Sequence, residues 1–448
     1  MTMRHEGRSR EMNRKPSGDT SKPSRASVRA KTRAPKRRKR LILAATGATI
    51  LGVIVAGAFA FTYNPYSAGN PISQLIRGLG PNNSPFNVLL IGNNARNPAG
   101  PLDIGTGGGG QADIMMVAHI DPKTKKIELI SIPRDMLFAQ PSYSDPIPKI
   151  KTLFYIGAQM NPNQAAQLTV QGVEKFTGMR IKDWIVTDFK GFVDAINAVG
   201  GVYVYVPGKM RDPLHSHANL NQGWQTLSGA QALSFVRIRQ NTASSAGTND
   251  FMRNNYQAAV LQALQKKLLN RSNDFKHIGA LISTWMNDVV TNMSPSELLK
   301  VAQAGRGAKV THINLANVGD SMQLASAPLQ GFNQENYITG AYYDIVNPQR
   351  DYARLKPFGS TGVWTGLPLP PASQIHVDVY GGPHTVHLLE AAGYQVTVLG
   401  GSQGYSQVQI SYPAGDLSSG VEVGRTLATG NSLVQPGSNP TAVVVYGN

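Results

Sequence analysis

FNVLLIG (residues 86–92), DIMMVAHID (113–121) and KIELISIPRD (126–135) are the stretches that decide the fold. Val88–Ile91 and Ile114–Ile120 are short apolar runs rich in branched side chains, and Lys126–Ile132 alternates apolar with polar, as strands do. Asp121-Pro122-Lys123-Thr124-Lys125 separates the last two with turn residues, so a hairpin is expected there. Downstream the period lengthens. Gln164–Phe176 reads as an amphipathic helix, Trp184–Thr187 as a strand and Phe192–Ala198 as a helix broken by Gly200-Gly201. Val202–Val206 is a further strand. Ser228 is an N-cap candidate for a helix over Ala230–Phe235, and a long helix is expected over about Arg253–Leu269. Helices over about Phe275–Val289 and Pro295–Gln303 lead to a strand at Val310–Leu315. Strands and helices alternate without a strict repeat, which predicts an α/β class with a central mixed sheet flanked by helices.

Working outward, residues 317–373 carry little periodicity and end in Leu367-Pro368-Leu369-Pro370-Pro371, so they are expected to be a linker. A small α/β domain over 374–448 follows, with strands at Ile375–Val379, Gln395–Leu399 and Val443–Tyr446 and a helix at Thr385–Ala392. It is too short for a deep cleft of its own, which suits a binding or spacer module.

At the other end, the first forty residues hold fifteen Lys/Arg against Glu6, Glu11 and Asp19. They therefore supply +12 of the chain's net +17. This tail has almost no large apolar side chains and is expected to be disordered. Leu41–Phe61 is uncharged and long enough to cross a hydrocarbon core of about 30 Å as a helix. Lys36–Arg40 abuts its N-terminal end and Tyr63 and Tyr66 follow it. A transmembrane helix over 41–62 is expected, with the N-terminus cytoplasmic and the rest extracytoplasmic. A cleaved signal peptide fits less well, because the basic region is long and no clean small-residue cleavage site stands out. Nucleic acid is not expected as a partner, since the apolar run beside the basic cluster explains the charge. Residues 63–85, rich in Pro, Gly, Asn and Ser, read as a stalk. The chain has no cysteine, which excludes thiol catalysis and Cys-bound metal and leaves the exported part dependent on its core.

Thr106-Gly107-Gly108-Gly109-Gly110 lacks the Lys-Ser/Thr of a phosphate loop, and His215-x-His217 lies in a polar loop better suited to a turn than to a metal. The informative residues are arginines and acids at element ends. Pro133 stops the strand before Arg134-Asp135. Arg237 and Arg239 would share one face of an extended segment, and Asp250, Arg253 and Gln257 share one face of a helix. Guanidinium forks arranged this way suit a pyrophosphate. They would serve equally as structural ion pairs with Asp250, Asp135 or Glu174, and spacing alone does not choose.

Asn87–Gly92, Asp113–Met116, Ser131–Asp135, Lys149-Ile150 with Gly157, Val199–Val202, Leu227–Gly229 through Ala232-Leu233 to Arg239, and Asp250–Arg253 with Gln257 follow one another over about residues 86–270. In this order they resemble the motifs of the LytR-CpsA-Psr family, and residues 374–448 resemble the small C-terminal domain that often accompanies it. The resemblance implies a domain over 86–316 that acts as a membrane-anchored phosphotransferase. It would move a glycopolymer from undecaprenyl pyrophosphate to peptidoglycan. It implies that Arg134, Arg237, Arg239 and Arg253 grip the pyrophosphate, assisted by Lys149, Gln257 and Asp250. Asp113 and Asn94 would hold Mg²⁺.

Departures from the family pattern are also visible. Asn94 stands where an acid is usual, Gln111 and Tyr256 stand where arginines are usual, and Lys151 stands where an Asn is common. Asp103 is a candidate to restore the missing carboxylate. The alternative expectation is a weakened or non-catalytic binder of polyprenyl-pyrophosphate lipids or wall polymer. A regulator of transcription conflicts with the topology, because only the basic tail would face DNA.

Overall fold

The computed structural model describes residues 84–96, 98–105, 110–139, 149–246, 248, 250–270, 288–305, 308–316, 321–324, 341–405, 407–427 and 432–447. The basic tail, the 41–62 segment, nearly all of the stalk and the expected helix over 275–287 lie outside these residues, as do residues 106–109 of the Gly-rich loop. Among the described residues no helix is long and apolar enough to cross a membrane.

Alternation builds the first sheet. Strand β1 (Phe86–Asn93) pairs antiparallel with β2 (Ala112–Asp121), and β2 pairs antiparallel with β3 (Lys126–Ser131), which is the expected hairpin. On the other side β1 runs parallel to β4 (Asp183–Thr187), and β4 pairs antiparallel with β9 (Val289–Thr291). Strand β10 (Lys309–Asn314) closes the far edge parallel to β3, giving the mixed order β10-β3-β2-β1-β4-β9. Odd and even positions then separate cleanly. Val88, Leu90, Met116 and Ala118 face one buried cluster; Leu89, Ile91, Met115 and Val117 face another. The sheet is therefore covered on both sides.

One face carries α1 (Thr152–Met160) and α2 (Pro162–Thr177). Asn161 caps α2 by accepting from the Asn163 N–H, Pro162 opens its first turn, and Gly178 ends it at φ 64°. The other face carries α3 (Phe189–Ala198), α4 (Gly229–Arg237), α5 (Asp250–Asn270) and α6 (Pro295–Gly305). Ser228 caps α4 as expected, reciprocally with Gln231. Two small ribbons connect these helices, β5 (Val202–Val206) with β8 (Gly223–Leu227), and β6 (Met210–Asp212) with β7 (Ala218–Leu220). Helix α1 and strands β6, β7 and β9 carry no clear sequence period, being short and placed by contacts to other elements. Val289, expected as a helix end, lies instead in β9.

The second sheet has the order β12-β11-β16-β15-β17-β13-β14. Its strands are β11 (Ser321–Leu324), β12 (Ala341–Asp344), β13 (His376–Tyr380), β14 (Gln395–Gly400), β15 (Gln409–Tyr412), β16 (Ser432–Pro436) and β17 (Val443–Tyr446). Helix α7 (Pro348–Leu355) follows β12, while α8 (Pro383–Ala391) and α9 (Leu417–Thr426) accompany the later strands. Residues 317–373 were expected only to link. They supply β11 and β12, the former running parallel to β16, while Phe358, Val363 and Trp364 pack against the α1/α2 core. Four-residue strands of mixed polarity have no legible period, and a pairing partner more than a hundred residues away leaves no local signal.

The two sheets meet along the chain just after β3. Leu137 N–H donates to the Asp344 carbonyl (3.1 Å), Asp344 N–H donates to the Asp135 carbonyl (3.0 Å), and Ala139 N–H donates to the Gly366 carbonyl (2.7 Å). Phe138 meets Trp364 edge-on at 5.0 Å. Leu137 belongs to the core of the second sheet while its neighbours Met136 and Phe138 belong to the first.

Gly157 lets α1 and α2 approach closely. A Cβ there would lie 2.5 Å from the Gln164 carbonyl oxygen, a backbone atom that cannot swing aside. Gly157→Ala is expected to lower stability by about 1–3 kcal/mol, as overpacking does. Equilibrium urea unfolding checks this through a lower midpoint at unchanged slope.

Candidate functional site: a guanidinium cluster around one buried carboxylate

Asp113 is the second residue of β2, on the strand beside the turn that carries Arg134. The Arg134 guanidinium forms a short ion pair with it. Burial disfavours the Asp113 carboxylate, yet the charges of Arg134, Arg253 and Arg239 outweigh that and hold its pKa below the ordinary range. Arg237 belongs to the same cluster. Burial lowers its pKa, Asp113 opposes that, and the positive charges of Arg239, Arg96 and Arg134 add to the lowering. Arg253 is brought down to about 10, first by burial and then by repulsion from Arg134. The structure thus brings together the four expected arginines around one acid, and two of them, Arg237 and Arg253, have lowered pKa values.

Each arginine has its own support. Arg134 follows Pro133, and the turn closes through Met136 N–H to the Pro133 carbonyl (3.3 Å). Arg253 rides on the first turns of α5, which Asn314 of β10 fixes. Asn314 Nδ2 donates to the Phe251 carbonyl (2.7 Å), and Asn254 Nδ2 donates to Asn314 Oδ1 (3.0 Å). Arg237 is the last residue of α4, not part of a strand. Ile238 is the buried C-cap, with φ −55° and ψ 130°, and turns the chain so that Arg239 follows outside the helix. The shared face expected from an extended segment is corrected to a helix exit, although both side chains still act on Asp113. The Arg237 guanidinium lies 4.0 Å over the Phe189 ring, and its buried Nε has no hydrogen-bond partner among the described residues. A cation stacked on an aromatic face with an unmatched donor can accept an anion as a hydrogen-bonding partner.

Asp212 holds the exit in place. Its carboxylate accepts the backbone N–H groups of Arg239 (2.9 Å), Gln240 (3.4 Å), His215 (3.0 Å) and Ser216 (3.3 Å), and it meets His215 Nδ1 at 3.2 Å. Burial opposes its ionisation, but these donors hold its pKa well below the usual carboxylate range. His215 is therefore part of this brace, and His217 adopts φ 56° in the same turn.

Asp135 gathers the lysines. Lys151 Nζ lies 2.6 Å and Lys149 Nζ 3.2 Å from Asp135 Oδ1, with Arg134 Nε 3.3 Å from Oδ2. Lys149 also sits 4.7 Å above the Tyr343 ring. Burial works against the charged form of Asp135, and Arg134, Lys151 and Lys149 together more than reverse it. Lys151, a departure from the family pattern, adds a cation here. Beyond Asp135 lies Asp344, at the end of β12, with 3% of its surface exposed. Burial, then the charge of Asp135, pushes its pKa up to about 7.

The remaining expected residues are placed as follows. Gln257 is buried on α5 one turn beyond Arg253, and Asp250 opens that helix. Tyr256 turns into the core and stacks on Phe235 at 4.6 Å, so it offers no substitute for an arginine. Asn94 and Gln111 pair with each other: Asn94 N–H donates to the Gln111 carbonyl (3.1 Å), and Asn94 Oδ1 accepts the Gln111 N–H (2.9 Å). Asp103 accepts the N–H groups of Ala99 (2.7 Å) and Gly105 (3.1 Å) on its own loop. The donor set does not fit a cation held by the protein alone. Asp113 is engaged by Arg134 and ringed by positive charge, and the Asn94 and Asp103 oxygens are occupied by amides. Among the described residues no three His, Asp or Glu side chains gather around a point.

Sequence inspection missed Asp212, Asp344 and Phe189. Asp212 precedes Pro213, a turn signal that could have marked it; the other two carry no local signal. Removing the Asp212 carboxylate leaves buried N–H groups unmatched. Asp212→Ala is therefore expected to destabilise by roughly 3 kcal/mol. The folded-state pKa is depressed, so this contribution is complete above about pH 4 and fades as pH falls through the native value. Denaturant unfolding of both proteins at pH 7 and at pH 3 checks this: the gap should be wide at the first and narrower at the second.

The LytR_cpsA_psr family model matches residues 60–349. The chain is 26% identical over 308 residues to the polyisoprenyl-teichoic acid–peptidoglycan teichoic acid transferase TagU of Bacillus licheniformis, covering 65% of this chain and 91% of that protein. It is 30% identical over 283 residues to the probable cell wall biosynthesis protein LcpB of Corynebacterium glutamicum, covering 61% of this chain and 65% of that protein. Among solved structures, that of B. subtilis TagV aligns with a TM-score of 0.46 at 24% identity, over 62% of this chain and 96% of that one. With a match that spans well over half its length, the chain belongs to the LytR_cpsA_psr family.

Proposed function

We propose that this protein is a phosphotransferase that moves a glycopolymer from a polyprenyl diphosphate, undecaprenyl pyrophosphate, to peptidoglycan. In this reading residues 41–62 anchor it in the membrane and the described part works outside the cell. One observation carries the proposal: Arg134, Arg237, Arg239 and Arg253 are gathered around Asp113, with excess positive charge left for a ligand. A diphosphate diester matches that excess in sign and in its forked oxygens. The names of relatives such as TagU support the choice of polymer and acceptor.

The chemistry that follows is a displacement at phosphorus. An acceptor hydroxyl oxygen attacks the phosphorus that bears the glycopolymer. The bond from that phosphorus to the bridging oxygen breaks, polyprenyl phosphate leaves, and the hydroxyl proton passes to solvent. The protein's share is alignment and neutralisation of charge on the phosphoryl oxygens, which preorganised guanidinium groups supply. Arg237, stacked on Phe189, is fixed before the ligand arrives. Asp113 keeps Arg134 oriented and limits the repulsion among its neighbours.

A second reading, binding without transfer, is favoured by Asn94. It brings no charge, and its Oδ1 is taken up by the Gln111 amide. The two readings separate in one experiment on the full-length protein in detergent, given a polyprenyl-diphosphate oligosaccharide and peptidoglycan fragments. Transfer gives a phosphodiester-linked product and free polyprenyl phosphate; binding alone gives neither. In either case Arg237→Ala is expected to weaken lipid-diphosphate binding about ten- to a hundredfold, the loss of one charged hydrogen-bonding group. Titration calorimetry reads this directly, and unchanged affinity would refute the guanidinium grip.

A further inference from the structure

Asp344 is the acid that the transfer chemistry leaves unused. Its backbone is locked to the site: its N–H donates to the Asp135 carbonyl, and its carbonyl accepts from Leu137 N–H. Its side chain is buried, and the Oδ2 oxygen has no hydrogen-bond partner among the described residues. A buried, unmatched carboxylate oxygen is costly while it carries charge and much less so once protonated. The groups that face it are known from each neighbouring element. Arg134 and Asp135 come from the turn after β3, Lys149 from the segment before α1, and Arg253 from α5. Tyr342, on β12 itself, also faces the carboxylate: burial and then the Asp344 charge raise its hydroxyl pKa. Asp344 and Asp135 therefore share the same cations.

We propose that Asp344 is a proton-holding member of the anion site, so that capture of a diphosphate diester is coupled to protonation of the Asp344 carboxyl group. The inference rests on the diphosphate reading above and deepens it. When the anion draws Arg134, Arg253 and Lys149 toward its own oxygens, Asp344 loses the charges that offset its own. A proton from bulk water then binds the carboxylate, and no other bond is made or broken. The carboxyl titration near pH 7 in the unliganded protein sets the range in which this coupling is felt. Asp344 acts through its neighbours' charges and is a positioning residue, not a catalytic one.

The test uses full-length protein, native and Asp344→Asn, with UDP-N-acetylglucosamine as a soluble diphosphate diester whose phosphates do not titrate near neutrality. Affinity is measured by calorimetry from pH 6 to pH 9 in buffers of different ionisation enthalpy. The native chain should take up a fraction of a proton on binding, and its affinity should fall with rising pH, approaching about tenfold per pH unit for one fully linked proton. The Asn variant should show neither effect. An equal pH slope and equal proton uptake in the two proteins would overturn the inference while leaving the diphosphate reading intact. Absence of binding by the native chain at every pH would defeat that reading and this inference together.

A ligand-free measurement gives an independent check. The folded-state pKa of Asp344 is raised, so the native form holds its proton to higher pH than the unfolded chain does. Stability from this group is present below about pH 4 and is lost as pH rises toward 7. Asp344→Asn should therefore gain stability relative to the native chain between pH 5 and pH 8 in urea unfolding. Parallel curves for the two proteins would count against Asp344 as the titrating group.

Discussion

The structure depends on keeping the guanidinium groups of Arg134 and Arg253 buried, with that of Arg237 half-buried, beside a single carboxylate. Bringing an ion out of water costs several kcal/mol even after relaxation, and like charges at close range add to that. Asp113 offsets part of it for Arg134, and the lowered Arg253 pKa shows that the offset is incomplete. The balance is met by geometry rather than by more acids. Phe189 lies under Arg237, Asn314 and Asn254 pin the start of α5, and Asp212 ties the two amides at the exit of α4 to those of His215 and Ser216. A site that is over-positive and held rigid from several sides gains most when an anion enters.

The same constraint explains where the second sheet is attached. The chain that carries Arg134 and Asp135 could not be held by β3 alone, because Pro133 ends that ladder. Residues 135–139 are instead clamped by Asp344 and Gly366 on one side and by Ile150 on the other, where Ile150 N–H donates to the Met136 carbonyl (3.0 Å). Anchoring thus couples the arginine cluster to a sheet built mostly from strands between residues 376 and 446. It also brings Asp344 beside Asp135, giving the site two carboxylates with opposite tendencies. Asp135 is kept ionised by the lysines it collects, and Asp344 is driven toward neutrality.

Much of the central sheet was legible because its residues obey a local rule. Val88–Ile91 and Ile114–Ile120 are apolar since both sheet faces are covered, and Asp121–Lys125 supplies the turn that joins β2 to β3. The arginines were legible as a set because charged forks at element ends are unusual. What they surround was not. Asp113 could be marked only by resemblance, and the fold adds its ion pair with Arg134 and the nearby charges of Arg253 and Arg239. Tyr256 looked like a lost arginine and proves to be a core residue stacked on Phe235. Arg237 and Arg239 looked like neighbours on a strand and are separated by a helix end, a distinction that depends on how far α4 continues before Ile238 turns.

By itself the sequence determined the composition of the site and the alternation of the central sheet, because side-chain chemistry and hydrophobic period are properties of neighbouring residues. Only the tertiary structure decided which acid meets which base. Asp212 reaches Arg239, Asp344 reaches Asp135, and β11 reaches β16 across separations of 27 to more than two hundred residues. Those pairings follow from strand register and from the burial that makes an unmatched charge expensive. Neither is written in any short window of the chain.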